Sequence, residues 1–285
     1  MNLSISIACG LLTATGFGTA DFVAKLSTGR VGFLRTALFM QAIGSFFVLP
    51  FALPDAFRLF NHPWAALGGI LVGVANAVAT LSLYKGFEVG RLSIVSPIAS
   101  TAPVVSILLA VVFLGESVTS ERLLAISLVI GGIILVSFQS EEKTVSKQVA
   151  QGVAYAVGFM FFGGLMLFGL KPVSAALGVF LPVLIMRWIG IPVLAIPFLA
   201  SKHDPVERNA LWPIIVVALF DTFANVVYVV GVTFGTVTVV STLGGMFSAV
   251  TVILAWIILK ERLTLHHILG FLVIVAGVAV LTWAA

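Results

Sequence analysis

The chain has 285 residues, of which 60% are hydrophobic and 9% charged. Soluble globular proteins carry about 25% charged residues, so this chain lacks the charge to cover a water-facing surface; a soluble enzyme, a nucleic-acid binder and a disordered chain are excluded. The net charge of +4 comes from 15 scattered Lys and Arg residues that form no basic run.

Apolar stretches of about 20 residues, each able to cross a bilayer core, recur from end to end. Read against charge and turn clusters, they predict ten transmembrane helices at 3–24, 33–53, 64–86, 92–114, 120–139, 150–171, 177–199, 210–230, 235–259 and 264–284. The first stretch begins without Lys or Arg and stays apolar too long for a signal peptide, so it reads as a retained span. Cys9 is the single cysteine, which excludes an intrachain disulfide and a thiolate metal cluster. Helices are required because a lipid-exposed backbone must satisfy its own hydrogen bonds, and the alternating pattern of barrel strands is absent. The longest polar stretches, 140–147 and 201–209, are too short to house a soluble domain. Function therefore lies inside the helix bundle.

The chain also repeats itself. Residues 86–138 align without a gap on 231–283, an offset of 145, and the shared residues include Gly86/Gly231, Ser96/Ser241, Glu116/Glu261, Thr119/Thr264 and Gly132/Gly277. The first helices match at an offset of 142, through Gly10/Gly152, Gly16/Gly158 and Phe17/Phe159. This divides the chain into five-helix repeats at 1–139 and 150–285, joined by a linker at 140–149. Five is odd, so consecutive repeats enter the membrane in opposite orientation, an inverted-repeat architecture with the substrate site near the midplane.

Leu114-Gly115-Glu116-Ser117-Val118-Thr119 and Leu259-Lys260-Glu261-Arg262-Leu263-Thr264 resemble the paired signature of EamA-type transporters of the drug/metabolite transporter superfamily. Gly18 to Lys25 resembles that family's first-helix pattern, and Phe33-Leu34-Arg35 the start of its second helix. Phe17 stands where Trp is usual, and Asp21 where a neutral polar residue is common. The resemblance implies export or uptake of small metabolites by alternating access.

An ionisable group at mid-helix costs at least ~2.5–3.5 kcal/mol to insert, so polar residues inside the spans are the candidates for function. Asp221 lies near the middle of the eighth span, with Asn225 and Tyr228 one and two turns further along the same face. The 145-residue offset places Asn76 on Asp221 and Thr80 on Asn225. Both halves thus set polar groups at equal depth, which predicts a central cavity; hydrogen-bonded glue between helices is the plainer alternative. Asp21, one turn before Lys25, is either half of a helix-end ion pair or a cavity or gate residue. Arg187, beside Trp188, binds an anionic substrate, pairs with Asp221 or Asp21, or snorkels to the interface. The substrate-binding set is therefore Asn76, Asp221, Asn225, Tyr228, Asp21 and Arg187. With no cation beside it, Asp221 is placed to couple protons or hold a cationic group; with Arg187 beside it, the two form a structural lock or gate.

Glu116, Glu261, Lys85, Glu88 and Arg91 read as helix caps and turn anchors. Adjacent His266 and His267 point about 100° apart on a helix and do not suit a shared metal site. Pro97 and Pro103 in the fourth span, and Gly244-Gly245 in the ninth, read as kinks or hinges. Gly68, Gly69, Gly73, Gly163 and Gly164 read as close-packing positions.

The positive-inside rule favours termini outside, whereas the resemblance implies cytoplasmic termini. No metalloprotease motif, intramembrane Ser/His pair or acidic metal cluster stands in the spans, so the chain reads as no enzyme, with no catalytic residue, cofactor or metal assigned. The expected function is secondary transport of a small polar metabolite, amino-acid-like or similar, across the cell membrane by alternating access, with a passive facilitator or pore of the same fold as the alternative. The expected partners are that small-molecule substrate and the lipid bilayer, with proton coupling left open and no nucleic acid.

Overall fold

The computed structural model describes residues 3–89, 95, 98–137, 147–201, 211–260 and 265–283. It is all-helical. The main helices are α1 (Leu3–Val31), α2 (Phe33–Ala52), α3 (Pro63–Val89), α4 (Ala102–Leu114), α5 (Ser120–Ser137), α6 (Lys147–Leu177), α7 (Phe180–Ala200), α8 (Trp212–Phe234), α9 (Val237–Gly244), α10 (Phe247–Leu259) and α11 (Leu265–Trp283). Among the described residues, seven helices are long and apolar enough to cross a membrane, the seventh being the broken stretch Val237–Ile258. Ala102–Leu114 and Leu265–Val280 are shorter apolar helices. Large apolar side chains cover the outside: Phe46, Phe60, Trp64 and Leu199 are all more than 75% exposed. So large an apolar surface suits lipid and not water.

Several helices depart from the expected limits. α1 runs a further two turns past residue 24, to Val31. Its polar last turns are satisfied locally, with Thr28 Oγ1 donating to the Lys25 carbonyl at 3.1 Å and Ser27 bonding Thr36 of α2 at 3.1 Å. α6 extends similarly to Leu177, through Pro172. The expected ninth span is two helices, α9 and α10, parted at Gly245 and Met246. Pro103 does not kink a helix: it sits in the first turn of α4, where its missing N–H leaves no bond unmade. Pro97 lies outside the described residues, as do Ser96, Arg91 and Glu261.

Equivalent helices end at equivalent residues. At the 145-residue offset, α4 falls on α10 at both ends, the end of α3 on that of α8, and the start of α5 on that of α11. The left-handed turn after α4 is taken by Gly115 (φ 64°) and the matching one after α10 by Lys260 (φ 55°). Packing is reciprocal too: α1 lies on α8 as α6 lies on α3, α1 on α9 and α10 as α6 on α4, while α2 packs on α7 and α5 on α11. Glycines set the closest approaches. A Cβ on Gly16 would meet that of Ala224 at 2.8 Å, and one on Gly73 would meet Ile189 at 2.7 Å. In the α5–α11 pair, a Cβ on Gly132 would meet the Gly270 carbonyl and Ile274 nitrogen, both at 2.9 Å. One on Gly277 would meet the Val129 nitrogen at 2.9 Å and the Ala125 carbonyl at 3.0 Å. Small residues of this kind let membrane helices close to backbone contact.

Candidate functional site

A cavity of about 90 Å³ lies between the two repeats, lined by α1, α2, α3, α4, α6, α8, α9 and the start of α10. Five of the six expected substrate-binding residues line it: Asp21 from α1, Asn76 from α3, and Asp221, Asn225 and Tyr228 from α8. Thr80, the counterpart of Asn225, joins them. Phe17, Phe159 and Phe247, with Met40 and Met166, make much of the rest. α2 reaches the cavity through Met40.

Arg187 does not line the cavity. Its side chain is 1% exposed and stands behind Asp221. It donates from Nη2 to Asp221 Oδ2 in a short ion pair, from Nη2 to Thr222 Oγ1 at 3.2 Å and from Nη1 to Gln41 Oε1 at 2.7 Å. Snorkelling is overturned: only Trp188, half exposed, turns outward, because the guanidinium has a carboxylate and two further acceptors within the bundle. Gly44 makes the room, since a Cβ there would meet Arg187 Nε at 3.2 Å. Asn225 Nδ2 donates to the Asp221 carbonyl at 2.8 Å and to its Oδ2 at 3.1 Å. Asp221 is thus an ion-paired carboxylate fixed from two sides.

Asp21 differs. Among the described residues no ion pair forms to its carboxylate, and Lys25, which could have paired with it, is exposed to solvent or lipid. Two buried polar atoms on residues that line the cavity have no partner among the described residues: Asn76 Nδ2, a donor, and Asn225 Oδ1, an acceptor. Both residues are more than nine-tenths buried. Buried polar groups left unpaired cost about 1–3 kcal/mol each, so a polar partner that reaches these atoms from the cavity is favoured.

One end of the site is fastened across the repeats. Tyr228 bonds the Leu167 carbonyl at 3.0 Å and Ser241 Oγ at 2.7 Å, tying α6, α8 and α9. Beyond it, Glu116, in the turn after α4, accepts from the backbone N–H groups of Val237 and Thr238 at 2.8 and 2.9 Å and from Thr238 Oγ1 at 2.6 Å. Lys171 of α6 donates to the same carboxylate at 2.9 Å and to the Gly235 carbonyl at 3.0 Å. Glu116 therefore caps the start of α9, where unpaired N–H groups favour negative charge. Burial alone would raise its pKa, but the bonds from Thr238, Lys171 and Val237 outweigh that and hold it below the ordinary glutamate value.

Known proteins resemble this chain in fold and in sequence. A solved crystal structure superposes with a TM-score of 0.80, covering 99% of this chain and 98% of the other at 16% identity, a likeness of fold. A Methanocaldococcus jannaschii protein described as uncharacterized is 27% identical over 138 residues, which are 48% of this chain and 100% of that protein. The model of the EamA-like transporter family matches twice, at residues 4–138 and 150–283. The chain belongs to the EamA-like transporter family. Membership, with the apolar helices, makes it a multi-pass membrane transporter of small solutes.

Sequence reasoning missed Gln41 and Thr222, which complete the shell around Arg187 in this EamA-like chain. Gln41 carried a signal: it is a strong hydrogen-bonding group in an otherwise apolar span and is fully buried. Thr222 carried none beyond its place next to Asp221.

Proposed function

We propose that the protein is a secondary transporter that moves a small polar metabolite across the cell membrane by alternating access, binding it in the central cavity. In this reading the two repeats, 1–139 and 150–285 joined at 140–149, are five-span halves of opposite orientation, giving ten spans in all. The observation that carries it is the cavity between the repeats, with unpaired polar atoms supplied from both, Asn76 from one and Asn225 from the other.

The α5–α11 contacts support the inversion. Gly132 meets residues 270 and 274, and its counterpart Gly277 meets 125 and 129, the counterparts of 270 and 274. Equivalent glycines sit the same distance from the crossing point but on opposite sides of it. An antiparallel pair related by a two-fold axis has this pattern; in a parallel pair, equivalent residues would meet at one level. The half-length M. jannaschii relative fits a unit of one repeat. The break between α9 and α10 lies at the cavity wall, where Gly245 packs so closely on Pro103 of the other repeat that a Cβ would meet it at 2.7 Å, and in this reading it is the joint on which the ninth span bends.

Alternating access is tested with the single cysteine removed (Cys9→Ala) and a new one placed at the cavity wall (Thr80→Cys). A membrane-impermeant maleimide, applied separately to each face of oriented vesicles, should label the site from both faces. Labelling from one face only would refute alternation. Flux in proteoliposomes with and without a proton gradient separates coupled transport, which accumulates solute against its gradient, from a passive facilitator, which does not.

A further inference from the structure

We infer that the cavity selects a small organic cation, an amine with a neighbouring neutral acceptor oxygen and an apolar body, and rejects carboxylate-bearing analogues of the same shape. This rests on the transport reading only for the claim that the bound solute is carried; the binding preference stands by itself.

The charge count decides the sign. Among the described residues, the charged side chains at the cavity wall are Asp21 and Asp221, and no Lys, Arg or His lines it. Asp221 is already neutralised by Arg187 from behind, and that guanidinium is committed to Asp221, Gln41 and Thr222. One carboxylate, Asp21, is left without a cation. An ammonium brought into this cavity finds a carboxylate that ionises to meet it; a carboxylate finds no cation among the described lining residues, because the Arg187 guanidinium is buried behind Asp221. An uncompensated charge in a low-dielectric site is strongly disfavoured.

The uncharged wall agrees. An ammonium has three donors: Asp21 can take one, and the unpaired Asn225 Oδ1 can take another. The unpaired Asn76 Nδ2 is a donor and requires an acceptor on the solute, such as a hydroxyl or carbonyl oxygen. Phe17, Phe159 and Phe247 present aromatic surface to the rest of the solute, and aromatic faces also attract organic cations.

The test holds the body of the solute constant and changes its charge. The full-length protein in detergent is titrated by calorimetry with phenylalaninol (a cation with a hydroxyl), phenylalanine (the same with a carboxylate) and 3-phenylpropanol (the same without the amine). Phenylalaninol should bind at least about tenfold more tightly than either. Asp21→Asn should remove that advantage, and Asp21→Glu should keep most of it. Equal affinity across the series, binding of none of them, or tightest binding of phenylalanine or 3-phenylpropanol would overturn the proposal. So would unchanged phenylalaninol affinity in folded Asp21→Asn. If Asp21→Asn does not fold, the wild-type series alone decides. Counterflow of labelled phenylalaninol in proteoliposomes reads transport separately: binding with this selectivity but no exchange would refute the transport reading and leave the cation site standing.

Discussion

Replacing Arg187 by methionine keeps the length and apolar stem of the side chain and removes its charge. Three donated bonds are lost, to Asp221, Gln41 and Thr222. The heavier loss is at Asp221, whose carboxylate is 19% exposed and keeps only Asn225 as a side-chain donor. Removing one partner of a buried ion pair costs roughly 3–5 kcal/mol, which at about 1.4 kcal/mol per decade is a roughly 100- to 4,000-fold shift toward unfolding. Asp221→Asn alone should cost a similar amount, because it strands the guanidinium. The double variant strands neither charge. Its loss should therefore fall well short of the sum of the single losses, with a coupling of at least about 1 kcal/mol. The assay is a double-mutant cycle of reversible unfolding in mixed micelles, with intrinsic fluorescence as the readout. Additive losses would refute the reasoning, since they would mean that the two residues stabilise the fold independently and that Arg187 does not hold Asp221 in place.

Three further outcomes are expected. Glu116 has its pKa lowered in the folded state, so its contribution is fully present above the usual glutamate pKa and is lost as pH falls through the depressed folded value. Thermal unfolding of wild type against Glu116→Gln should therefore show a constant difference from pH 7 down to about pH 4.5, narrowing below that; a difference that shrinks between pH 7 and 5 would contradict the cap. Gly132→Val and Gly277→Val should each destabilise by about 1–3 kcal/mol through overpacking at backbone contacts, while Gly131→Val, at a position with nothing within 4 Å, should be near neutral; unequal effects at 132 and 277 would argue against their equivalence. Tyr228→Phe should cost about 1 kcal/mol in the same unfolding assay, and no loss would mean that its hydroxyl does not fasten α6 to α9.

The repeat was legible because the helix ends it predicts are set by the same local chemistry in both halves. Leu114 and Leu259 both close 13-residue apolar helices, and each is followed by a left-handed turn. That Asn76 and Asp221 belong together was legible for a related reason: a fixed offset puts them at matching positions of equivalent helices, and the structure brings both to one cavity. Helix limits were less legible. Hydropathy drops at Ser27, Thr28 and Gly29, but helical hydrogen bonding does not stop there, because the hydroxyls find partners within the fold. For the same reason hydropathy could not separate α9 from α10, since both are apolar and the break is a matter of backbone turn geometry.

Choosing among the partners of Arg187 lay beyond the sequence, and the reason is geometric. Asp21 and Asp221 are both acidic, and spacing along the chain does not say which of them faces α7. The space beside the guanidinium decides it. Gly44 on α2 leaves room where a Cβ would press on Arg187 Nε, and Gly190, one turn past Arg187, leaves room where a Cβ would meet Gln41 Nε2 at 2.8 Å. These two glycines let α2 and α7 approach closely enough for Gln41 and Arg187 to meet, and that contact turns the guanidinium toward α8 and Asp221. Asp21 on α1 is left at the cavity without a cation paired to it among the described residues. The charge that gives the cavity its sign is thus decided by two glycines whose sequence context, apolar helix on either side, matches that of glycines doing nothing more than packing.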